Sequence, residues 1–138
     1  MNYIPSYLYK MKNDKKILIL ERDRLLGLDI QQQLIKNNFT VIRPLSIENT
    51  AEIISNENPD LVIADTDMND ESVFKKIKKQ LKKIQLPFIW ITSLTKEEAM
   101  KNGEGINLIK IFFKPFNSKS FVAFITNYFK KVNAFLYH

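Results

Sequence analysis

The chain has 138 residues, 45% hydrophobic and 26% charged, which is enough for one domain around a single core and too little for a second. No apolar run approaches the roughly 20 residues of a membrane span, and Met1 to Asp14 lacks the apolar stretch and cleavage pattern of a secretory signal. There is no cysteine, and the only histidine is His138, the last residue, so disulfides, thiolate zinc sites and cysteine or histidine catalysis are excluded and the composition suits a reducing cytosol.

Residues 1–14 read as an N-terminal extension and 15–138 as the domain. Ile17 to Leu20 is a strand-length apolar run, followed by a helical pattern of Leu26, Ile30 and Leu34 that stops at Asn37-Asn38. A second short strand is predicted around Phe39 to Ile42. Ser46 is placed to cap a helix carrying Ile47, Ala51 and Ile54, which ends near Asn58-Pro59 because the residue before proline avoids the helical region. The strand Leu61 to Ala64 follows.

Next comes a helix with Phe74, Ile77, Leu81 and Ile84 on one face and Lys75, Lys76, Lys78, Lys79, Lys82 and Lys83 on the other. Much of the net charge of +6 is local to this run. It reads as a solvated helix face rather than a DNA or RNA patch, because it lacks arginine and interleaved exposed aromatics. Nucleic acid and membrane are therefore not expected partners, beyond salt-dependent nonspecific adhesion.

Pro87 precedes the strand Phe88 to Ile91, and Thr95 with Glu98 forms a capping-box pattern opening a short helix closed near Asn102-Gly103. Ile109 to Phe113 is the fifth strand. Asn117 or Ser118 opens a last helix bearing Phe121, Phe124, Ile125, Tyr128 and Phe129. Five strands alternating with five helices imply an α/β fold, a doubly wound parallel sheet whose strands are each buried on two faces.

Four of the strands end in chemistry-bearing residues: Glu21-Arg22-Asp23, Asp65, Thr92-Ser93 and Lys114-Pro115. In an open parallel sheet the carboxyl ends lie on one edge, where ligands bind. Carboxylate, hydroxyl and ammonium then converge on one crevice, by composition a phosphate-and-metal site. A carboxylate directly after four apolar residues costs stability unless it faces such a crevice, which singles out Asp65.

Glu21, Asp65, Thr92 and Lys114-Pro115-Phe116, in that order at four strand ends, resemble a response-regulator receiver domain of two-component signalling, CheY-like, over roughly Lys15 to Val132. The resemblance implies the flavodoxin-like receiver fold, with strand order 2-1-3-4-5. It implies that Asp65 is the phosphoacceptor, ionised and exposed, taking a phosphoryl group from a sensor histidine kinase or phosphotransfer protein. Mg²⁺ would be held by Glu21, Asp65 and the main-chain carbonyl of Asp67. Lys114 would pair with Asp65 and then with a phosphoryl oxygen, Thr92 would move to bond another, and Pro115 would follow a cis peptide. No enzymatic activity on other substrates is implied.

Two positions depart from the family pattern. Receivers usually carry two adjacent acids after strand one, and here the second place is Arg22, which has no lone pair for a metal. Pointing inward, Arg22 would take the cation's volume and fork onto Asp65, leaving Mg²⁺ weakened or absent unless Asp23 or the Asp67 carboxylate supplied the charge. The aromatic residue often found three positions before the lysine is Ile111, so threonine-to-aromatic coupling is not expected, and Phe112 and Phe113 read as alternating faces of a strand. Arg22 and Ile111 favour a pseudo-receiver that signals by protein binding alone. Asp65-Thr66-Asp67 also resembles the first motif of haloacid-dehalogenase-type phosphatases, but the later acids of that family are missing after Glu104.

Ending at His138, the chain reads as a stand-alone receiver whose message passes to a downstream partner or a second copy. Tyr128, Phe129, Phe135, Leu136 and Tyr137 are the candidate docking surface, with Phe121, Phe124 and Phe129 assigned to the core.

Overall fold

The computed structural model describes residues 15–65 and 71–136, with the backbone alone for 71–74 and 134–136. The N-terminal extension, the side chains of Phe74, Phe135 and Leu136, and Tyr137 lie outside this description. The elements alternate as expected: β1 (Lys16–Leu20), α1 (Arg24–Lys36), β2 (Thr40–Ile42), α2 (Thr50–Glu57), β3 (Leu61–Asp65), α3 (Glu71–Ile84), β4 (Phe88–Thr92), α4 (Lys96–Asn102), β5 (Leu108–Phe113) and α5 (Ser118–Leu136). All pairings are parallel, and the strand order is β2-β1-β3-β4-β5. The fold is the flavodoxin-like α/β sandwich that the sequence and its resemblance imply.

Local chemistry sets the element ends. The Asp23 carboxylate accepts the N–H groups of Leu25 and Leu26 at 3.0 and 3.1 Å, capping α1. Asn38, with φ 68°, turns the chain out of that helix. Asn58 does the same after α2, with φ 47°, directly before Pro59. Thr95 accepts from the Glu98 N–H at the start of α4, and Asn117 accepts from Lys119 and Ser120 at the start of α5.

The cap expected from Ser46 is a correction. Its hydroxyl accepts the Glu48 N–H, and both the N–H and the hydroxyl of Thr50 donate to the Ile47 carbonyl. A turn forms first, so α2 begins four residues later than Ser46. A further contact was not anticipated: the Asp60 carboxylate accepts the Lys16 N–H at 2.8 Å while the Asp60 N–H donates to the Lys16 carbonyl. This pair pins the starts of β1 and β3 in register.

Two apolar layers flank the sheet. Ile17, Ile19, Ile63, Ile89 and Ile91 point to one side, against Ile30 and Leu34 of α1 and Phe121, Ile125 and Phe129 of α5. Leu18, Leu20, Val62, Ala64, Phe88 and Trp90 point to the other, against Ile54 of α2 and Ile77 and Leu81 of α3. Phe88 and Trp90 meet edge to face at 4.6 Å. A side chain at Gly103 would come within 2.6 Å of Leu108, so glycine there lets the end of α4 close over Trp90.

Burial on both faces, expected of every strand, holds for β1 after its first residue and for all of β3 and β4. It fails for β2 and β5, which are the sheet edges and are only partly covered. Phe112 is clamped between Phe116, Phe121 and Phe124, while Phe113 is 41% exposed. The two faces of β5 are thus occupied by Phe112 and Phe113 as the alternation predicts. Phe124 is half-buried, so its place in the core is at the margin.

Because Phe121 is fully buried and Phe113 is not, their truncations should separate. Phe121→Ala is expected to lower unfolding free energy by about 3 to 5 kcal/mol, and Phe113→Ala by less than about 1 kcal/mol, measured by urea denaturation. Equal losses would mean that β5 is covered on both faces.

Candidate functional site

The sheet register builds the site. Leu20 pairs with Ala64, so Glu21 and Asp65 emerge side by side, and Thr92 pairs with Phe113, so Lys114 follows on the neighbouring strand. The Lys114 N–H donates to the Thr92 carbonyl at 2.8 Å, tying the two strand ends together. The Lys114–Pro115 peptide is cis, as the family resemblance implies.

Lys114 Nζ lies 2.6 Å from Asp65 Oδ2 and 3.6 Å from Glu21 Oε2. One ammonium therefore serves two carboxylates. Asp65 and Glu21 are buried, and the exposed Asp65 of the sequence reading is corrected: it is 4% exposed, and Lys114 lies against it. Thr92 is also buried, with its hydroxyl accepting the Leu94 N–H at 2.9 Å. Three of the four sequence-selected side chains thus meet at one point, and Thr92 stands at the adjoining strand end.

The electrostatics are unbalanced in a specific way. Glu21 Oε1 accepts the Asp23 N–H at 2.9 Å, but Oε2 is buried with no hydrogen-bond donor. Burial, with Asp65 as hydrogen-bonding and like-charged neighbour, pushes the Glu21 carboxyl from 4.5 up to about 7, against the opposing pull of the Asp23 N–H and Lys114. Among the described residues two carboxylates thus share one lysine. An orphaned carboxylate oxygen beside a second carboxylate is a donor set that fits a hard divalent cation. Asp67, the expected carbonyl ligand, lies outside the described residues.

Arg22 is exposed and makes no hydrogen bond or ion pair among the described residues. It lines an open cleft of about 470 Å³ with Arg24, Gln31, Arg43 and Leu45. Asp23 is committed to capping α1. One residue in this region escaped sequence reasoning: Arg43 donates to the Arg24 carbonyl and the Gln31 side chain, lying so close to α1 that a Cβ on Gly27 would come within 2.7 Å of it. The available signal was the glycine inside a helical pattern.

This fold is shared with known proteins. No family model matches the chain. It is 30% identical over 118 residues to the transcriptional regulatory protein CrdR of Helicobacter pylori, covering 83% of this chain and 55% of that protein. It is 28% identical over 126 residues to the probable transcriptional regulator ycf29 of Guillardia theta, covering 90% and 58%. The chain thus spans little more than half the length of these curated relatives.

Among solved structures it resembles a CheY-like receiver domain protein from Methanospirillum hungatei, with TM-score 0.74, 19% identity and coverage of 86% of this chain and 96% of the other. It also resembles HP1043, an orphan response regulator of H. pylori, with TM-score 0.70, 21% identity and coverage of 84% and 97%. The HemR receiver domain of Leptospira biflexa gives 0.67, 24%, 83% and 93%. The chain thus has the same fold as the CheY-like response-regulator receiver domains it resembles.

The raised Glu21 carboxyl carries a signed pH dependence. Between about 4.5 and 7 the folded state keeps a proton that the unfolded chain has released, so stability falls as pH rises through this window. Glu21→Gln, which keeps the acceptor for the Asp23 N–H, should match the wild type near pH 4.5 and exceed it at pH 8 by on the order of 2 to 3 kcal/mol. Urea denaturation at the two pH values measures this, and a gap independent of pH would refute it.

Proposed function

We propose that the chain is a receiver in two-component signal transduction, working in the cytoplasm and accepting a phosphoryl group on Asp65 from a histidine kinase or phosphotransfer partner. The observation that carries the reading is the Asp65, Glu21 and Lys114 cluster at the carboxyl edge of the sheet, with Thr92 at the adjoining strand end. Among the described residues no helix is long and apolar enough to cross a membrane. The two curated relatives are transcriptional regulators by name, which supports a role upstream of a gene-regulatory partner.

In the proposed step an Asp65 carboxylate oxygen attacks the phosphorus of a phosphoimidazole. The new O–P bond forms as the P–N bond breaks, and the electron pair leaves with the imidazole nitrogen, which is released as neutral imidazole after protonation. Lys114, already on Asp65, is placed to hold a phosphoryl oxygen as the acyl phosphate forms. The Thr92 hydroxyl accepts the Leu94 N–H and can still donate its own O–H to another phosphoryl oxygen, so a turn toward that oxygen would pull on the loop after β4. Mg²⁺ held by Glu21 and Asp65 would screen the repulsion between the carboxylates and the incoming phosphoryl oxygens. Glu21 must then be ionised, so cation binding should strengthen as pH rises through about 7.

A pseudo-receiver that signals by protein binding is the second reading. Arg22 favours it, because a guanidinium stands where the family places a carboxylate. Ile111, packed on the Trp90 side of β5, favours it too.

The two readings part on incubation with acetyl phosphate, with and without Mg²⁺, followed by intact mass. The expected result is one Mg²⁺-dependent phosphoryl adduct, absent in Asp65→Ala, with beryllofluoride changing the fluorescence of Trp90, two residues before Thr92. No adduct on the wild type but an adduct on Arg22→Asp would establish the pseudo-receiver. No adduct on either protein would refute the phosphoacceptor assignment of Asp65.

A further inference from the structure

The basic charge of this protein is not spread over its surface. Removing Lys75, Lys76, Lys78, Lys79, Lys82 and Lys83 from the 21 basic residues leaves 15, equal to the 15 acids, so the formal charge of +6 corresponds to the lysines of α3 alone. From Ser72 to Lys96 the sequence has no acid at all. Among the described residues none of these six ammoniums forms an ion pair or hydrogen bond. Five are exposed and Lys78 is half-buried. Partial burial and Lys82 lower the affinity of Lys78 for its proton, with Glu104 offsetting, so the cluster repels itself.

A sequence-level reading of this run as a merely solvated face rests on its lacking arginine and aromatics. That absence excludes base reading and base stacking, but not phosphate contact. The fold then settles which polyanion suits the face. Ile77 and Leu81 are core residues, so α3 has no apolar face to insert into a bilayer. Lys75 to Lys83 covers about 12 Å of helix axis, giving roughly one positive charge per 2 Å, close to the one charge per about 1.7 Å of duplex DNA. A linear row of that density matches a linear polyanion better than a leaflet in which anionic headgroups are diluted.

We infer that the exposed face of α3 binds the phosphate backbone of duplex nucleic acid without reading its sequence. The inference does not depend on phosphoryl chemistry at Asp65, since α3 contributes no described side chain to that site. Each lysine that meets a phosphate releases a counterion, so affinity should fall steeply with salt. With about three such contacts, a rise from 50 to 200 mM salt lowers affinity roughly 40-fold.

The test is fluorescence anisotropy of two labelled 30-base-pair duplexes of unrelated sequence, titrated with the full chain at several salt concentrations. Equal affinity for both duplexes is expected, with a log–log salt slope near −3. Replacing Lys75, Lys79, Lys82 and Lys83 by Gln should weaken binding at least tenfold and flatten the slope. A control in which Lys96, Lys101, Lys119 and Lys130, all exposed, become Gln removes the same charge and should leave binding within about threefold. Circular dichroism establishes that both variants fold. The inference is overturned by absence of binding at 50 mM salt, by equal losses in the two variants, or by binding to vesicles containing phosphatidylserine without binding to duplex.

Discussion

The salt bridge from Lys114 to Asp65 is the contact on which the arrangement at the sheet edge depends. Three parallel pairings, β1 with β3, β3 with β4 and β4 with β5, bring Glu21, Asp65 and Lys114 to one place, and the ammonium offsets the repulsion between the two carboxylates. Two buried carboxylates at hydrogen-bonding range cannot both ionise cheaply. Lys114 is only one charge, and it lies a full ångström nearer to Asp65 than to Glu21. Asp65 takes the ion pair, and Glu21 bears the cost as a raised carboxyl pKa.

That asymmetry links stability to the proposed chemistry. A buried cluster in which two carboxylates share one described ammonium is a poor stabilising device, since apolar residues of similar volume would hold the strand ends together at least as well. On the proposed reading its value lies in what it can receive: Glu21 would pass from holding a proton to holding a cation, and Lys114 would gain phosphoryl oxygens as acceptors beside Asp65. Thr92 sits where β4 meets β5, with its hydroxyl accepting a loop N–H, so a change at Lys114 and Asp65 would reach that loop through it.

The fold was largely legible because its signals are local and repeated. Each central strand is an apolar run between helix caps and turn residues, and Asp23, Asn58, Thr95 and Asn117 act where their types suggest. Ser46 misled because a serine hydroxyl can bond the next turn as readily as a helix start, and Thr50 with the Ile47 carbonyl decided between them. The edge strands were misjudged for a different reason. Periodicity reports which residues can be buried, not whether a helix arrives to bury them, and Phe113 is apolar without being covered. In the site, the identities of Glu21, Asp65, Thr92 and Lys114 were readable from strand ends. Their balance was not, because burial of Asp65 and the orphaned Glu21 oxygen depend on register and on one side chain's reach.

Arg22 shows where such readings divide. Its type alone suggests a guanidinium filling the place of a cation, yet the side chain is exposed and joins Arg24 and Arg43 along an open cleft that Glu21 also borders. Lys114 already occupies the position of counterion to Asp65, and a second cation driven into the same buried space would have to be stripped of water without gaining a partner of its own. Outward, Arg22 keeps its hydration and loses nothing. On the proposed reading Arg22 leaves the crevice one carboxylate short without adding a charge to it, and a cation there would draw its ligands from the acids that remain. On that reading Arg22 would therefore act on a metal site by withholding a donor rather than by blocking it, and a carboxylate restored at position 22 would address that directly.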